Sequence, residues 1–228
     1  MHPADHPGPL VFVHDLDRPH LADDDRHHLE RVLRIRQGSE LTISDGAGRW
    51  RTALLDREVV PTGQIELVLE PTPLTIGFAL VKGAKPEVIV QKLTELGVDR
   101  IVPFEAERSI VRWDEARARK AIVRLRAVAR AAAMQSHRAR LPVVDDVTAL
   151  DLLVRESGAA LTDREGGPPS VEHRVLLVGP EGGWAPGELR NALPRVCLGE
   201  HVLRAETAAI TAGALLTALR NGIVGRIA

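Results

Sequence analysis

A single cysteine, Cys197, in 228 residues excludes an internal disulfide and fits a reducing compartment. Its expected place is inside a strand, as a small buried apolar side chain. No stretch is apolar for long enough to span a bilayer. The most apolar, Thr207 to Leu219, carries three threonines and falls short of the ~20 residues a crossing helix needs, so it is expected as a buried helix. The N-terminus lacks the basic, then apolar, then small-residue order of a secretory signal. A soluble cytoplasmic protein with no membrane partner is expected. Lysine is scarce, with Lys82, Lys85, Lys92 and Lys120 the only ones, and the formal net charge is -1, which by itself gives no sign of a nucleic-acid partner. Histidine is plentiful near the start: His2, His6, His14, His20, His27 and His28 fall in the first 28 residues. None forms an HxH or HxxxH pair with a cysteine or carboxylate beside it, so no metal is expected and the segment reads as a disordered tail. There is no internal repeat and no low-complexity segment.

What is present is concentrated in the last quarter. Val175 to Val178 is a short apolar, β-branched run, as expected of a strand buried on both faces of a parallel sheet. It enters Gly179-Pro180-Glu181-Gly182-Gly183, where glycines permit a sharp turn and leave backbone amides open to a ligand. No Lys-Ser/Thr follows, and the spacing is not GxGxxG, which argues against triphosphates and dinucleotides. Pro186 suits the first position of a helix, with Glu188 in its first turn. A second strand and turn, Val196 to Glu200, precedes Val202 to Thr207 and the final helix. Two glycine corners at the carboxyl ends of adjacent strands would form the crevice in which open α/β sheets bind ligands.

Residues 1–72 read as a separate small β-barrel. Leu10 to His14 is a candidate strand and Asp23 to Leu33 a short helix. Glu40 to Ser44 and Trp50 to Leu55 flank an Asp-Gly hairpin signal, and Ile65 to Leu69 alternates. Residues 73–228 read as an α/β domain with a parallel sheet. Thr75 to Val81, Pro86 to Leu96 and Val98 to Phe104 form a βαβ unit with Gly97 as the helix stop. Lys92 and Glu95, three apart, are expected to pair. Asp114 caps a long helix to about Arg138. Val147 to Glu156 reads as a short helix, Ala159 to Thr162 as a strand and Arg164 to Ser170 as a loop. Between Arg100 and Arg140 eleven Lys/Arg stand against four Asp/Glu. That is the local excess expected where one face meets phosphates, or simply a solvated, arginine-rich helix face.

The pair LLVGPEGG and LGxxxLRxETA, with QKLTELGV at 91–98 and Gln135, Arg138 and Pro142 at a helix end, resembles the knotted SPOUT methyltransferases. The closest resemblance is to the bacterial 16S ribosomal RNA (uracil-N3) methyltransferase family, and it covers nearly the whole chain after residue 10. Met134 departs from the pattern, since a glutamate is common there. The resemblance implies a C-terminal domain with a trefoil knot, preceded by a PUA-like, RNA-gripping barrel. It also implies S-adenosyl-L-methionine as cofactor, held mainly through backbone groups of Leu161, Thr162, Gly179, Pro180, Glu181, Gly182, Leu198, Gly199, Leu203, Thr207 and Ala208. The partners it implies are 16S ribosomal RNA of the small subunit and a second copy in a homodimer. The small residues of the last helix suit packing inside a knot or against that copy.

Arg31, Arg34, Arg36, Arg108, Gln135 and Arg138 are the RNA-binding candidates, although each arginine also suits a plain surface or helix-end position. Arg204 and Glu206 are the catalytic candidates. The arginine would hold developing negative charge on uracil, and the glutamate would accept its proton or hold the arginine. An arginine-glutamate pair that only stabilises the fold is the alternative, and Glu181 reads as a brace for its loop. Other readings remain at this point: a knotted methyltransferase acting on a ribose 2′-hydroxyl or on transfer RNA, or a non-catalytic RNA-binding assembly factor.

Overall fold

Two patterns of hydrophobicity, alternating before residue 72 and continuous after it, fold into two different sheets. The computed structural model describes residues 2–6, 8–188 and 193–225. The chain divides into two units, residues 1–71 with 130–141, and residues 72–129 with 142–228.

In the first unit, β1 (Leu10–Phe12) is followed by α1 (Asp23–His27), β2 (Glu40–Ser44), β3 (Arg49–Leu55), β4 (Val59–Pro61) and β5 (Glu66–Leu67). The expected helix to Leu33 is α1 alone, continued by a single π-turn over His28–Val32. β2 and β3 form the hairpin, in register from Glu40 opposite Leu54 to Ser44 opposite Trp50. Its turn is held by Asp45, whose carboxylate accepts from the Ala47 and Arg49 amides at 2.8 and 3.1 Å. β1 adds in parallel to β2, while β4 and β5 add antiparallel to β3. Alternation sends Val11, Leu41, Ile43, Ala53 and Leu55 into one core with Leu29.

Residues 130–141, absent from the expected first domain, complete this unit. Leu10 and Phe12 pack on Ala133, Met134 and Leu141. Arg130 grips the buried Asp25 carboxylate with two 2.7 Å hydrogen bonds, and Ser44 Oγ donates to the Ala139 carbonyl at 2.8 Å. The N-terminal segment also differs from the expected disordered tail. His2 caps a 3-10 turn at Pro3–Asp5, and the ring of His6 meets Trp50 edge-on with centroids 5.2 Å apart.

The second unit contains β6 (Thr75–Ala79), α2 (Lys85–Leu96), β7 (Arg100–Glu105), the start of α3 (Glu115–Gln135), β8 (Val143–Val144), β9 (Thr148–Ala149), α4 (Leu150–Leu153), β10 (Ala159–Gly167), β11 (Val175–Val178), β12 (Arg195–Val196) and α5 (Ala205–Arg220). The sheet runs in the order β12-β10-β11-β6-β7-β8, with β9 on β7, and every pairing is parallel. All four residues of β11 are buried, as the unbroken apolar run requires. Leu176 and Val178 face a core shared with Ile89 and Leu93 of α2, Leu125 of α3 and Leu216 of α5. Val175 and Leu177 face the opposite layer with Phe104, Leu153 and Trp184.

Local signals place the helix ends. Gly97 takes φ 91° as the cap of α2, a left-handed conformation that side chains with a Cβ resist. Asp114 Oδ1 accepts the Arg117 amide at 2.8 Å at the start of α3. Lys92 Nζ bonds both oxygens of Glu95, at 3.0 and 2.8 Å. The small residues of α5 are used inside this unit. Ala209, Ala212 and Gly213 are buried, and a Cβ on Gly213 would stand 2.4 Å from Leu93 Cδ2.

Two expectations are corrected here. The strands bearing the glycine corners are not neighbours, because β10 lies between β11 and β12. The supposed loop after Thr162 is strand to Gly167, joined to β12 through a register shift between Thr162 and Gly167. The helix expected from Pro186 falls largely on residues 189–192, outside the described residues. No helix among the described residues is long and apolar enough to cross a membrane.

Candidate functional site

The carboxyl ends of β10, β11 and β12 open into one cavity of about 840 Å³, and the first turns of α5 close its side. This is the edge at which parallel sheets take ligands, because the turns there place backbone and helix starts around a common space. Its walls combine apolar side chains, among them Val178, Leu198, Leu203 and Ala208, with the carboxylates of Asp163, Glu165, Glu181 and Glu200. Glu181 is paired with Lys85 and Asp163 with Arg195, at 3.0 and 3.3 Å, which leaves Glu165 and Glu200 beside Arg164 and His201. Such a surface suits a ligand with a largely apolar body and a cationic centre.

The Gly179 corner is heavily braced. The Gly183 amide donates to the Pro180 carbonyl at 2.9 Å, closing the turn. Trp184 folds back beneath it, donating Nε1–H to the Thr162 carbonyl at 2.8 Å and stacking on Phe104 with planes 4° apart. A Cβ on Gly179 would stand 2.8 Å from that indole, so the close approach of the ring requires glycine. Glu188 ties the following segment down. Its carboxylate accepts from the amides of Ala185, at 2.7 Å, and Glu107, at 2.8 Å.

The Cys197 corner is sparser. Cys197 is half-buried, not fully buried as expected, and lines the cavity with its thiol donating to the Gly199 carbonyl at 3.3 Å. Its amide donates to the Gly167 carbonyl at 2.8 Å. Beyond it Glu200, His201 and Val202 are exposed.

Lys85, at the start of α2, joins the two sides. Its Nζ lies 3.0 Å from Glu181 Oε1 in the braced corner and 3.1 Å from Glu206 Oε2 in the first turn of α5. The hydrogen bond that Lys85 donates to Glu181, and then its pairing with Glu206, hold the lysine above its ordinary pKa against a desolvation cost. Burial pushes the Glu206 carboxyl up. The hydrogen bond from its own backbone N–H, together with Lys85 and Arg204, outweighs that and leaves it below the usual carboxylate range. Glu206 is therefore ionised and paired, a poor proton acceptor but a good anchor for a cation. Reading the sequence did not find Lys85, because residues 85, 181 and 206 share no spacing. Trp184 was missed as well, although it directly follows the glycines in a chain with only three tryptophans.

The expected ligand contacts distribute as follows. Thr162, Gly179, Pro180, Glu181, Leu198, Gly199, Leu203 and Ala208 line the cavity. Leu161 does not: it is buried in the core beside Leu177. Gly182 turns toward Arg108, whose Nη1 donates to its carbonyl at 3.4 Å, and Thr207 is exposed outside the lining. Arg204 is exposed at the N-cap of α5, between lining residues Leu203 and Ala205. In the first unit Arg31, Arg34, Arg36 and Gln135 are exposed and Arg138 is half-buried.

The basic stretch between Arg100 and Arg140 is less cationic than its composition suggests. Arg100, Arg112, Arg119, Arg124, Arg126, Arg130 and Arg140 pair with carboxylates, most of them outside the stretch. No group of three His, Cys, Asp or Glu placed to hold a metal occurs among the described residues.

Comparison with known proteins decides the family. A model of the RNA methyltransferase domain matches residues 69–217, most of the chain and all of the lining of the cavity. The chain belongs to the RNA methyltransferase family. A model of the RNA methyltransferase PUA domain matches residues 21–56, within the first unit. Among curated members, ribosomal RNA small subunit methyltransferase E of Mycobacterium bovis is 36% identical, covering 83% of this chain and 82% of its own. The protein of the same name from Bacillus subtilis is 29% identical, covering 84% and 86%. Among solved structures, a methyltransferase of Legionella pneumophila, in complex with S-adenosylmethionine, is 28% identical with TM-score 0.78, covering 93% of this chain and 98% of its own. A small subunit methyltransferase E of Neisseria gonorrhoeae bound to the same molecule is 27% identical with TM-score 0.77, covering 93% and 98%. This RNA methyltransferase is thus an α/β protein with a parallel sheet and a PUA domain.

Proposed function

We propose that this chain is an S-adenosylmethionine-dependent methyltransferase that modifies N3 of a uridine in 16S ribosomal RNA of the small subunit. The observation that carries this reading is the cavity at the ends of β10, β11 and β12, inside the segment that matches the methyltransferase family. Its volume lies in the ~300–1,000 Å³ range of small-molecule sites, and its acidic rim fits a cationic donor. Val178, Leu198 and Ala208 would enclose the apolar part, and Thr162, Gly179 and Gly199 would offer backbone groups. Bound there, the cofactor supplies an electrophilic methyl group. The names of the curated relatives support the ribosomal substrate.

Transfer to a ring nitrogen depends above all on positioning, and the braced corner provides it. The N3 proton of uracil is weakly acidic, so a cation that stabilises the departing charge lowers the barrier. Arg204, exposed at the rim, holds the uracil oxygens. Glu206, ionised and bound to Lys85, holds Lys85 and Arg204 in place in preference to taking the proton, and the N3 proton passes to water as the methyl group is transferred. The trefoil knot implied by the resemblance belongs to this reading, and the strand order β12-β10-β11-β6 is compatible with it.

The test is incubation with methyl-labelled cofactor and unmodified small subunits, followed by digestion and mass spectrometry. Label on N3 of one uridine is expected. Label on a ribose 2′-hydroxyl, or only on transfer RNA, would replace this reading with another RNA methyltransferase activity. Failure to bind the cofactor at all would leave an RNA-binding protein.

A further inference from the structure

A second, smaller cleft of about 90 Å³ opens on the same edge of the sheet, lined by Leu80, Val81, Lys82, Lys85, Ile110, Val111 and Glu181. Its residues follow β6, β7 and β11, whereas the large cavity follows β10, β11 and β12. Glu181 belongs to both linings, so a single carboxylate, fixed by Lys85 at 3.0 Å, stands between them. The cleft is about a tenth the size of the large cavity. That suits one flat ring and not a whole cofactor.

Two chemistries meet in it. Ile110 is 69% exposed, and with half-buried Val111 it offers an apolar surface beside the charged Lys82 and Glu181. Lys82 and Lys85 are two of only four lysines in the chain. Lys85 is committed to Glu181 and Glu206, while Lys82 is exposed and presents a compact positive charge at the mouth. An apolar platform with one lysine beside it matches a single unstacked nucleotide, which has a flat base and an anionic phosphate.

We propose that this cleft is the subsite of a nucleotide that flanks the target: it receives one nucleotide of the RNA, base against Ile110 and Val111 and phosphate on Lys82, across Glu181 from the donor cavity. The proposal rests on the reading of the large cavity as the donor site. Because Glu181 and its ion pair to Lys85 stand between the cleft and the cavity, the nucleotide held there is a neighbour of the uridine at Arg204 and not the methyl acceptor itself.

The experiment uses the full chain with Lys82→Gln, Lys82→Arg and Ile110→Asp. Three quantities are read: calorimetric affinity for S-adenosylhomocysteine, affinity for small-subunit ribosomal RNA against salt, and RNA KM and kcat for transfer. Both side chains are exposed, so the variants keep the fold, and unchanged S-adenosylhomocysteine affinity verifies it. Lys82→Gln is expected to lower the slope of log affinity against log salt by about one and to raise RNA KM, with Lys82→Arg restoring both. Ile110→Asp is expected to raise RNA KM at least tenfold. Wild-type salt slope and wild-type RNA KM in Lys82→Gln and Ile110→Asp would overturn the subsite. Failure of the wild-type chain to bind S-adenosylhomocysteine would instead overturn the donor site on which it rests.

Discussion

The two glycine corners of the cavity are built differently. The Gly179 corner has its own turn hydrogen bond, an indole packed beneath it, a carboxylate spanning two amides and an ion pair to α2. The corner that begins at Cys197 has a single backbone bond to β10 and ends in Val202, which is 76% exposed. A rigid floor that costs nothing to organise, opposite a rim that can adjust, lets a site close on a ligand without losing its alignment. Lys85 is the one described side chain whose ion pairs join the braced corner to the start of α5.

The comparison is broken most severely by Gly179→Val. The added side chain has no room beside Trp184, so the floor must shift. Calorimetry should show S-adenosylhomocysteine affinity falling by about two orders of magnitude or more, equivalent to ~2.7 kcal/mol, in a chain that still folds. Next comes Glu188→Ala, which strips a partner from the amides of Ala185 and Glu107. It should cost about 1–3 kcal/mol of stability, seen as a melting temperature lower by ~2–4 °C per kcal/mol in a chain of this size.

Lys85→Met sharpens the role of the bridge and should have a smaller effect, since solvent screens pairs this exposed. Its signature is in the pH dependence. The Glu206 carboxyl lies below its ordinary 4.5, so its contribution is present above that value and lost as pH falls through the lowered one. The lysine lies above its ordinary 10.5, so its contribution is present below that value and lost as pH rises through the raised one. The pair's contribution to stability should therefore be flat between those limits in the native protein, as a melting-temperature series against pH would show. In Lys85→Met the acid limb should move toward neutral pH, because Glu206 has lost its strongest cationic partner. An acid limb that does not move would show that Lys85 does not set the state of Glu206. Smallest of all, Val202→Ser in the sparse corner should change stability by less than ~0.5 kcal/mol in a denaturant titration.

The same contrast explains what could be read from the residues. Elements with a local cause were legible: the four-residue apolar run of β11, the Asp45-Gly46 hairpin, Gly97 ending α2 and Asp114 starting α3 all match the structure. Sheet order has no local cause. A two-residue strand such as β12 carries no periodicity that says which neighbour it will pair with, and the polar run Asp163-Arg164-Glu165-Gly166-Gly167 reads as a loop even though it extends β10. Residues 130–141 lie far from the first domain along the chain, yet Arg130 and Ala139 complete the first unit through Asp25 of α1 and Ser44 of β2. The arginine excess was likewise counted along the chain, where partners such as Asp25, Glu87 and Asp146 do not show. Of the site, the residues in the glycine turns were legible and the contacts beneath them were not. Lys85 and Trp184 act across gaps of about 20 to 120 residues, and no spacing records that.

The central claim is that the ends of β10, β11 and β12 together hold the methyl donor. A crystal of the chain soaked with S-adenosylmethionine tests it most directly. Electron density for the donor lying against Gly179, Leu198 and Ala208, with Trp184 unmoved beneath it, is the predicted result. Density bound elsewhere on the chain, or a cavity that stays empty at saturating donor, would contradict it.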